Sequence, residues 1–347
     1  MSRILVVTSS PLGAEGGHLV IARALVEALQ QAGHQASLVL TPVNRFGRQA
    51  AAYLATWLTD VGMTHDGQPV DQVISLRFPS YAVRHDAHVC WLNHRMREYY
   101  DLWDRFSASL GPRARAKERV RRACIHAADR YLLGHRVRRV FAISKTIQAR
   151  LLRWGRIPSE VLYPPPPPRA YRCDGYGDYI LAVSRLTPLK RVDLVIRSLA
   201  EPDAAGARLV VIGEGEEAAN LRALAAELGV ADRVQLTGSV DEAALVRHLA
   251  QCRAVCFPPY HEDYGFVTVE AFASGKAVVT CADSGAPTEL VRDGTEGFVC
   301  APTPGSLGRA LGALTADRAL AERMGSAGRT AVAALKWDQA VRRLLLV

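Results

Sequence analysis

Short runs of apolar, largely β-branched residues alternate along this chain with stretches of helical periodicity, and the alternation occurs twice. Ile4 to Thr8 reads as a fully buried parallel strand, followed by a helix from Leu19 to Ala32 that closes at Gly33. A second strand, Ala36 to Leu40, ends at Pro42. Helical material runs from Arg48 to Val61, and a third strand covers Gln72 to Leu76. This βαβαβ opening is of Rossmann type. Val89 to Leu92 and Val140 to Ile143 are further strands, the latter leading through Ser144 to a helix that stops near Trp154 and Gly155.

Five consecutive prolines, Pro164 to Pro168, then interrupt all periodicity. Such a run forms a semi-rigid extended connector and cannot continue a helix or an inner strand. We place the domain boundary there, giving a first domain of residues 1–168 and a second of 169–335. The second repeats the alternation with strands at Tyr179 to Val183, Arg208 to Ile212, Val234 to Leu236, Ala254 to Phe257, Val278 to Thr280 and Gly297 to Val299. The pattern predicts an α/β protein with two Rossmann-like domains.

The chemistry concentrates between Val255 and Glu289. The strand there is stopped by Pro258 and Pro259, and from Val267 the residues Val269, Ala271, Phe272 and Ala273 read as a buried helix ending at Gly275. Glu262 lies in the loop before this helix and Glu270 within it, so both can face a ligand at the helix N-terminus. Exposed NH groups there attract anions, and Gly265 lets a phosphate or hydroxyl approach the backbone. Scattered glutamates near a helix start also occur for the sake of the dipole alone. In the loop after Tyr179 to Val183, Arg185 and Lys190 stand five apart, an arrangement suited to a diphosphate; Arg191 is expected to point elsewhere. The strand Val89 to Leu92 delivers Asn93, His94 and Arg95 at its carboxyl end, where open α/β sheets place ligands. His85 is the alternative histidine. The early loop carries Gly13, Gly16 and Gly17, which do not spell a dinucleotide fingerprint.

Taken as a string, Glu262-x7-Glu270-Ala271, Gly275-Lys276-x-Val278-Val279, Ser284-Gly285 and Glu289 resembles the signature of the family 4 (group 1) glycosyltransferases over about 35 residues. Ala277 stands where that family usually has proline, and Ser284-Gly285 where it often has two glycines. The resemblance implies the GT-B fold, two Rossmann-like domains with parallel sheets facing a central cleft. It also implies transfer of a sugar from a nucleotide-sugar donor with retention of configuration, with no metal and no cofactor. Carried over by residue, Gly16 and Gly17 meet the donor phosphates together with Arg185 and Lys190. Gly213, Val240, Gly265, Phe266 and Val267 complete the donor site, Glu270 takes the ribose hydroxyls, Glu262 takes the sugar hydroxyls, and His94 either contacts the sugar or phosphate or simply hydrogen-bonds a neighbouring loop. Trp337-Asp338 and the last helix, about 336–347, resemble the family's closing segment, which packs back on the first domain. A non-hydrolysing sugar-nucleotide epimerase of GT-B fold and a nucleotide-binding oxidoreductase are the rival readings. The oxidoreductase lacks an acidic residue after the second strand to hold a ribose.

Composition refines this picture in one respect, the division of charge. The net charge is +9, but residues 1–168 hold 23 Lys and Arg against 12 Asp and Glu, whereas 169–347 hold 20 against 22. Arg105 to Arg139 alone contains eleven basic and two acidic side chains. From Arg113 the pattern turns helical, with Val120, Ala123, Cys124, Ala127 and Tyr131 on one stripe and Arg115, Arg119, Arg122 and His126 opposite. The apolar stripe is expected to cover the sheet. The arginine face is then either simply solvated or laid on an anionic membrane, with a lipid-linked or cell-surface glycan as acceptor. No nucleic-acid reader motif accompanies the basicity. No run of eighteen apolar residues or signal-type core exists, so the expectation is a cytoplasmic protein, peripheral on the inner membrane face if the basic helix binds lipid. The seven cysteines show no metal-type pairing, and Cys252 and Cys256 are expected to be buried thiols.

Overall fold

The structure, a computed structural model, describes residues 1–10, 17–42, 46–64 and 66–346. The chain divides into two compact units, Met1–Pro164 with Lys336–Val347, and Pro165–Leu335. The division falls inside the proline run.

The first unit is a parallel sheet of β1 (Arg3–Ser10), β2 (Gln35–Pro42), β3 (Gln72–Ser75), β4 (His88–Leu92), β5 (Arg139–Ala142) and β6 (Glu160–Val161), in the order β2-β1-β3-β4-β5-β6. β1 is covered on both faces, as its unbroken apolar run requires. Leu5 and Val7 pack with Val61, Val70, Val73 and Val83. The helix Trp337–Leu344 belongs to this unit: Trp337 lies edge-on to Trp91 with ring centroids 6.1 Å apart, and Gln72 Nε2 donates to the Leu344 carbonyl at 2.7 Å.

The second unit contains β7 (Tyr179–Val183), β8 (Arg208–Ile212), β9 (Val234–Gly238), β10 (Ala254–Cys256), β11 (Ala277–Cys281) and β12 (Gly297–Cys300), all parallel, in the order β12-β11-β10-β7-β8-β9. Ile180, Val195, Leu209, Val211, Leu311 and Met324 belong to its core. Strand order reverses between β7 and β10. At such a switch point open α/β sheets place their ligand crevice, outside the carboxyl ends of the strands.

One element departs from the sequence reading. On the helix Pro112–Tyr131 the stripe Val120, Ala123, Cys124, Ala127 and Tyr131 faces outward, with Val120 67% and Tyr131 52% exposed. Ile125 and Asp129 face inward instead. Arg115 is turned back onto the carbonyls of Ser107 and Leu110. Arg122 donates to the Tyr99 carbonyl at 2.9 Å and stacks over Trp103, and His126 bonds the same carbonyl and lies flat on Tyr100. Arg115, Arg119 and Arg122 therefore do not form one solvent face; among them Arg119 alone is exposed. The physical reason is a polar anchor. Asp129 accepts from Tyr81 and Tyr100 at 2.6 Å each and from Tyr53, and this cluster outweighs the weak attraction of a stripe made largely of alanine and cysteine.

Cys90, Cys252, Cys256, Cys281 and Cys300 are buried, and burial pushes the Cys90 and Cys252 thiols up to about 12. Cys124 is exposed and Cys173 half-buried. No helix among the described residues is long and apolar enough to cross a membrane.

Candidate functional site

The crevice of the second unit is built from the loops that follow β7 and β10. The first carries Arg185 and Lys190, the second Glu262. Lys190 Nζ donates to Glu262 Oε2 at 2.6 Å and lies 5.4 Å from the Phe257 ring centroid. Arg185 is exposed, and its side chain has no hydrogen-bond or ion-pair partner among the described residues. Arg191, in contrast, is consumed within the fold. It bonds the Pro258 and Pro259 carbonyls at 2.7 and 2.8 Å and forms a two-pronged pair with Asp283 at 2.9 and 2.7 Å. Arg191 thus ties the loops after β7, β10 and β11 to one another, using the planar fork that lysine lacks.

The helix after Glu262 runs Phe266–Ala273, with Gly265 at its N-cap. Gly265 has φ +81°, and a Cβ there would stand 2.7 Å from the Phe257 ring, so only glycine admits both the backbone and the close approach. The preceding chain is fixed by backbone bonds from Glu262 N–H to Ser284 O at 2.7 Å and from Ala286 N–H to Glu262 O at 3.0 Å. Phe266 is half-buried and Val267 buried at the first turn. On the neighbouring strands, Gly213 follows β8, and Gly238 ends β9 with Ser239 and Val240 after it. Gly213 N–H donates to the Gly238 carbonyl at 2.9 Å. A Cβ on Gly213 would meet the Ser184 carbonyl oxygen at 1.9 Å, which gives this glycine a packing reason of its own. Val240 is half-buried.

Glu270 is the fifth residue of the helix Phe266–Ala273, and only 6% of it is exposed. Arg169 Nη1 and the Tyr171 hydroxyl, at 3.1 Å, both donate to its Oε1. Arg169 also donates through Nε to Glu242 at 3.0 Å. Burial pushes the Glu270 carboxyl above the usual carboxylate range, while the Arg169 charge and the Tyr171 hydroxyl pull it back.

In the first unit, His94 follows β4 at the carboxyl edge, half-buried, with Nδ1 2.9 Å from the Arg95 carbonyl. Gly17 opens the helix Gly17–Gln31 after β1; Gly16 and Gly13 lie outside the described residues. His85 sits at the opposite edge, where Nε2 lies 3.0 Å from the Val70 carbonyl and Nδ1 accepts from Ala87 N–H. Its ring is satisfied there, away from the carboxyl ends of the strands. The structure thus brings Arg185, Lys190, Glu262, Gly265 and Glu270 to one edge of one sheet.

Sequence reasoning missed Arg169, Tyr171 and Asp283. The first two stand just beyond the proline run, in what reads as linker, and no periodicity points at them. The one available signal was that a semi-rigid run delivers the residues at its end to a fixed place.

An arrangement of two cations, two carboxylates and a glycine-started helix at a strand-order switch point suits an anionic, hydroxyl-bearing ligand such as a nucleoside diphosphate attached to a sugar. Residues 171–331 match the family model of glycosyl transferases group 1. Over 172 residues the chain is 33% identical to a D-inositol 3-phosphate glycosyltransferase of Streptomyces griseus, covering 46% of this chain and 36% of that one. Over 183 residues it is 35% identical to a GDP-mannose-dependent alpha-(1-6)-phosphatidylinositol monomannoside mannosyltransferase of Mycolicibacterium smegmatis, covering 48% and 47%. The chain spans less than half the length of these relatives. The structure resembles that of WaaG, a glycosyltransferase involved in lipopolysaccharide biosynthesis, with a TM-score of 0.74, 18% identity and coverage of 99% of this chain and 100% of that one. The chain shares its GT-B fold with that structure, and residues 171–331 of its second unit are similar to the glycosyl transferases group 1.

Proposed function

We propose that the protein transfers a sugar from a nucleotide-sugar donor to an acceptor hydroxyl, with retention of configuration and without a metal ion or cofactor. The observation that carries this reading is the Lys190–Glu262 pair at 2.6 Å, with Arg185 on the same loop as Lys190 and its side chain unpartnered among the described residues. In the reaction the bond from the anomeric carbon to the diphosphate oxygen breaks, a bond to the acceptor oxygen forms, and the acceptor proton leaves toward the diphosphate. Arg185 and Lys190 offset the charge that develops on the departing diphosphate, the service a metal performs in other enzymes. Gly16 and Gly17 are the phosphate contacts proposed for the first unit. Glu262 holds sugar hydroxyls and orients Lys190. Glu270 accepts from the ribose, Gly213, Val240, Phe266 and Val267 line the donor, and His94 contacts the sugar.

A panel of nucleotide sugars scored by thermal shift tests the reading, because a donor at 100 times its dissociation constant stabilises by about 2.7 kcal/mol. Product analysis then separates transfer from epimerisation. A free epimer formed without acceptor overturns the transferase reading, and failure of every nucleotide sugar to bind overturns both.

The acceptor is a lipid-linked or cell-surface glycan precursor in this reading, which the relatives' phosphoinositide and lipopolysaccharide chemistry supports. The outward face of the helix Pro112–Tyr131 supplies Arg113, Lys117, Arg119 and Arg130 around Val120 and Tyr131. On an anionic leaflet each such cation contributes roughly 1 kcal/mol. Vesicle co-sedimentation that is absent at low salt, or unchanged when Arg113, Lys117 and Arg130 become glutamine, overturns the membrane reading.

A further inference from the structure

Both donors to Glu270 converge on a single oxygen. Arg169 Nη1 and the Tyr171 hydroxyl bond Oε1, while Oε2 accepts no hydrogen bond among the described residues and is not sealed from solvent. The delivery is local. Pro164 to Pro168 fix the approach of the backbone, and Tyr171 N–H donates to the Arg169 carbonyl at 2.8 Å, a tight turn that brings both side chains onto one carboxylate. Arg169 is itself held from the far side by Glu242, on the helix Glu242–Gln251.

We infer that Arg169 and Tyr171 are positioning residues: they hold Oε1 of Glu270, so that Oε2 is presented to a hydroxyl of the nucleotide ribose. This rests on the reading of Glu270 given under Proposed function and deepens it. A carboxylate with one oxygen tied and one open has a fixed orientation and an unused acceptor, which is what a ribose hydroxyl needs. The charged state is not automatic at this place. Burial raises the Glu270 carboxyl, and the groups that face it are Arg169, Tyr171 and, with the opposite sign, Glu242. Arg169 is the one cation of the set. Without it, Glu270 takes up a proton at a higher pH, and a protonated carboxyl rotates its hydroxyl toward any nearby acceptor.

The experiment measures binding of UDP, GDP and ADP by calorimetry between about pH 5 and 8.5, on wild type, Arg169→Gln, Arg169→Lys and Glu270→Gln. The nucleotide that wild type binds best serves as probe. Wild type should lose affinity only at the acid end. Arg169→Gln should move the midpoint of that loss to higher pH, so that affinity is lost at a pH where wild type still binds and recovers in alkali. Arg169→Lys should restore most of the wild-type profile, a readout that a merely structural role would not move. A loss in Arg169→Gln that is equal at every pH, or no loss at all, overturns the inference. Glu270→Gln separates the two levels of argument. If it binds the probe as wild type does, the assignment of Glu270 to the nucleotide fails. If it binds weakly while Arg169→Gln titrates like wild type, only the positioning role fails.

Discussion

Asp129 and Glu270 are both buried carboxylates held by tyrosine hydroxyls, one in each unit, and they differ in how completely they are used. At Asp129 both oxygens are occupied from within the chain: Tyr53 and Tyr81 donate to Oδ1 and Tyr100 donates to Oδ2. Burial, and then the charge of Asp129, raise all three phenols well above their usual range, so they remain donors. At Glu270 one oxygen is occupied and the other is open. A saturated buried acid serves the fold, because no ligand can add to it. A half-saturated one at the edge of a crevice has capacity left for a ligand.

The largest expected effect tests the saturated member. Asp129→Ala leaves three buried hydroxyls without their acceptor, each worth about 1 to 3 kcal/mol, and should destabilise the first unit by about 4 kcal/mol or more in denaturant unfolding. Glu270→Ala should change stability far less while abolishing most nucleotide affinity. If Asp129→Ala unfolds no earlier than Glu270→Ala, the contrast between the two carboxylates is wrong.

Next in size is Arg185. Its side chain is exposed and unpartnered among the described residues, so Arg185→Ala should leave the melting temperature unchanged and lower kcat/KM by about 2 to 4 kcal/mol in transition-state terms. Arg191→Ala should do the reverse, because its guanidinium clasps Pro258, Pro259 and Asp283. The pair of variants separates a cation held for a ligand from one spent on the chain; equal losses of stability in both would remove that distinction.

These expectations show where the sequence was readable. Fully apolar strands, proline stops and helix periodicity pointed to two parallel α/β layers, because parallel strands buried on both faces read as near-continuous apolar runs. The spacing from Glu262 to Glu270 pointed to the crevice, because the strand-turn-helix around it is local. The facing of the helix Pro112–Tyr131 was not readable. Its periodicity marks two opposite stripes, and the choice between them is made by tyrosines 48, 29 and 76 positions away from Asp129. Arg169 escaped notice for a related reason, since its partner Glu270 lies 101 residues on. A helix with a weak apolar stripe and a strong polar anchor obeys the anchor.

A third expectation concerns pH and extends the contrast to a buried base. His88 is fully buried with Nε2 2.8 Å from Ser75 Oγ, and burial, followed by the charges of His85 and Arg136, lowers it to about 3. The unfolded chain binds this proton near pH 6.5 and the native chain does not, so the stability His88 confers is present above about pH 6.5 and is lost as pH falls toward 3. The slope should reach up to about 1.4 kcal/mol per pH unit. Denaturant unfolding at several pH values on wild type and His88→Gln checks it, and a slope between pH 6.5 and 5 that survives the substitution assigns the dependence to other groups.

The smallest effect sharpens the comparison most, because one and the same chemical change is made at both centres. Tyr100→Phe removes the donor to Oδ2 of Asp129, and Tyr171→Phe removes one of two donors to Oε1 of Glu270. The first leaves a buried carboxylate oxygen bare and should cost about 1.5 to 3 kcal/mol of stability, since the lost bond is to a charged group. The second leaves Arg169 in place, so the carboxylate keeps its charge but gains freedom to turn. Stability should change by less than about 1 kcal/mol, and nucleotide affinity should fall about two- to tenfold, the worth of one hydrogen bond in orienting an acceptor. Calorimetric binding and denaturant unfolding on the two variants, side by side, give four numbers. The reading stands if the stability loss follows Tyr100 and the affinity loss follows Tyr171. If Tyr171→Phe lowers stability as much as Tyr100→Phe and leaves affinity untouched, Glu270 is a structural carboxylate like Asp129, and the ribose contact must be sought elsewhere along the crevice.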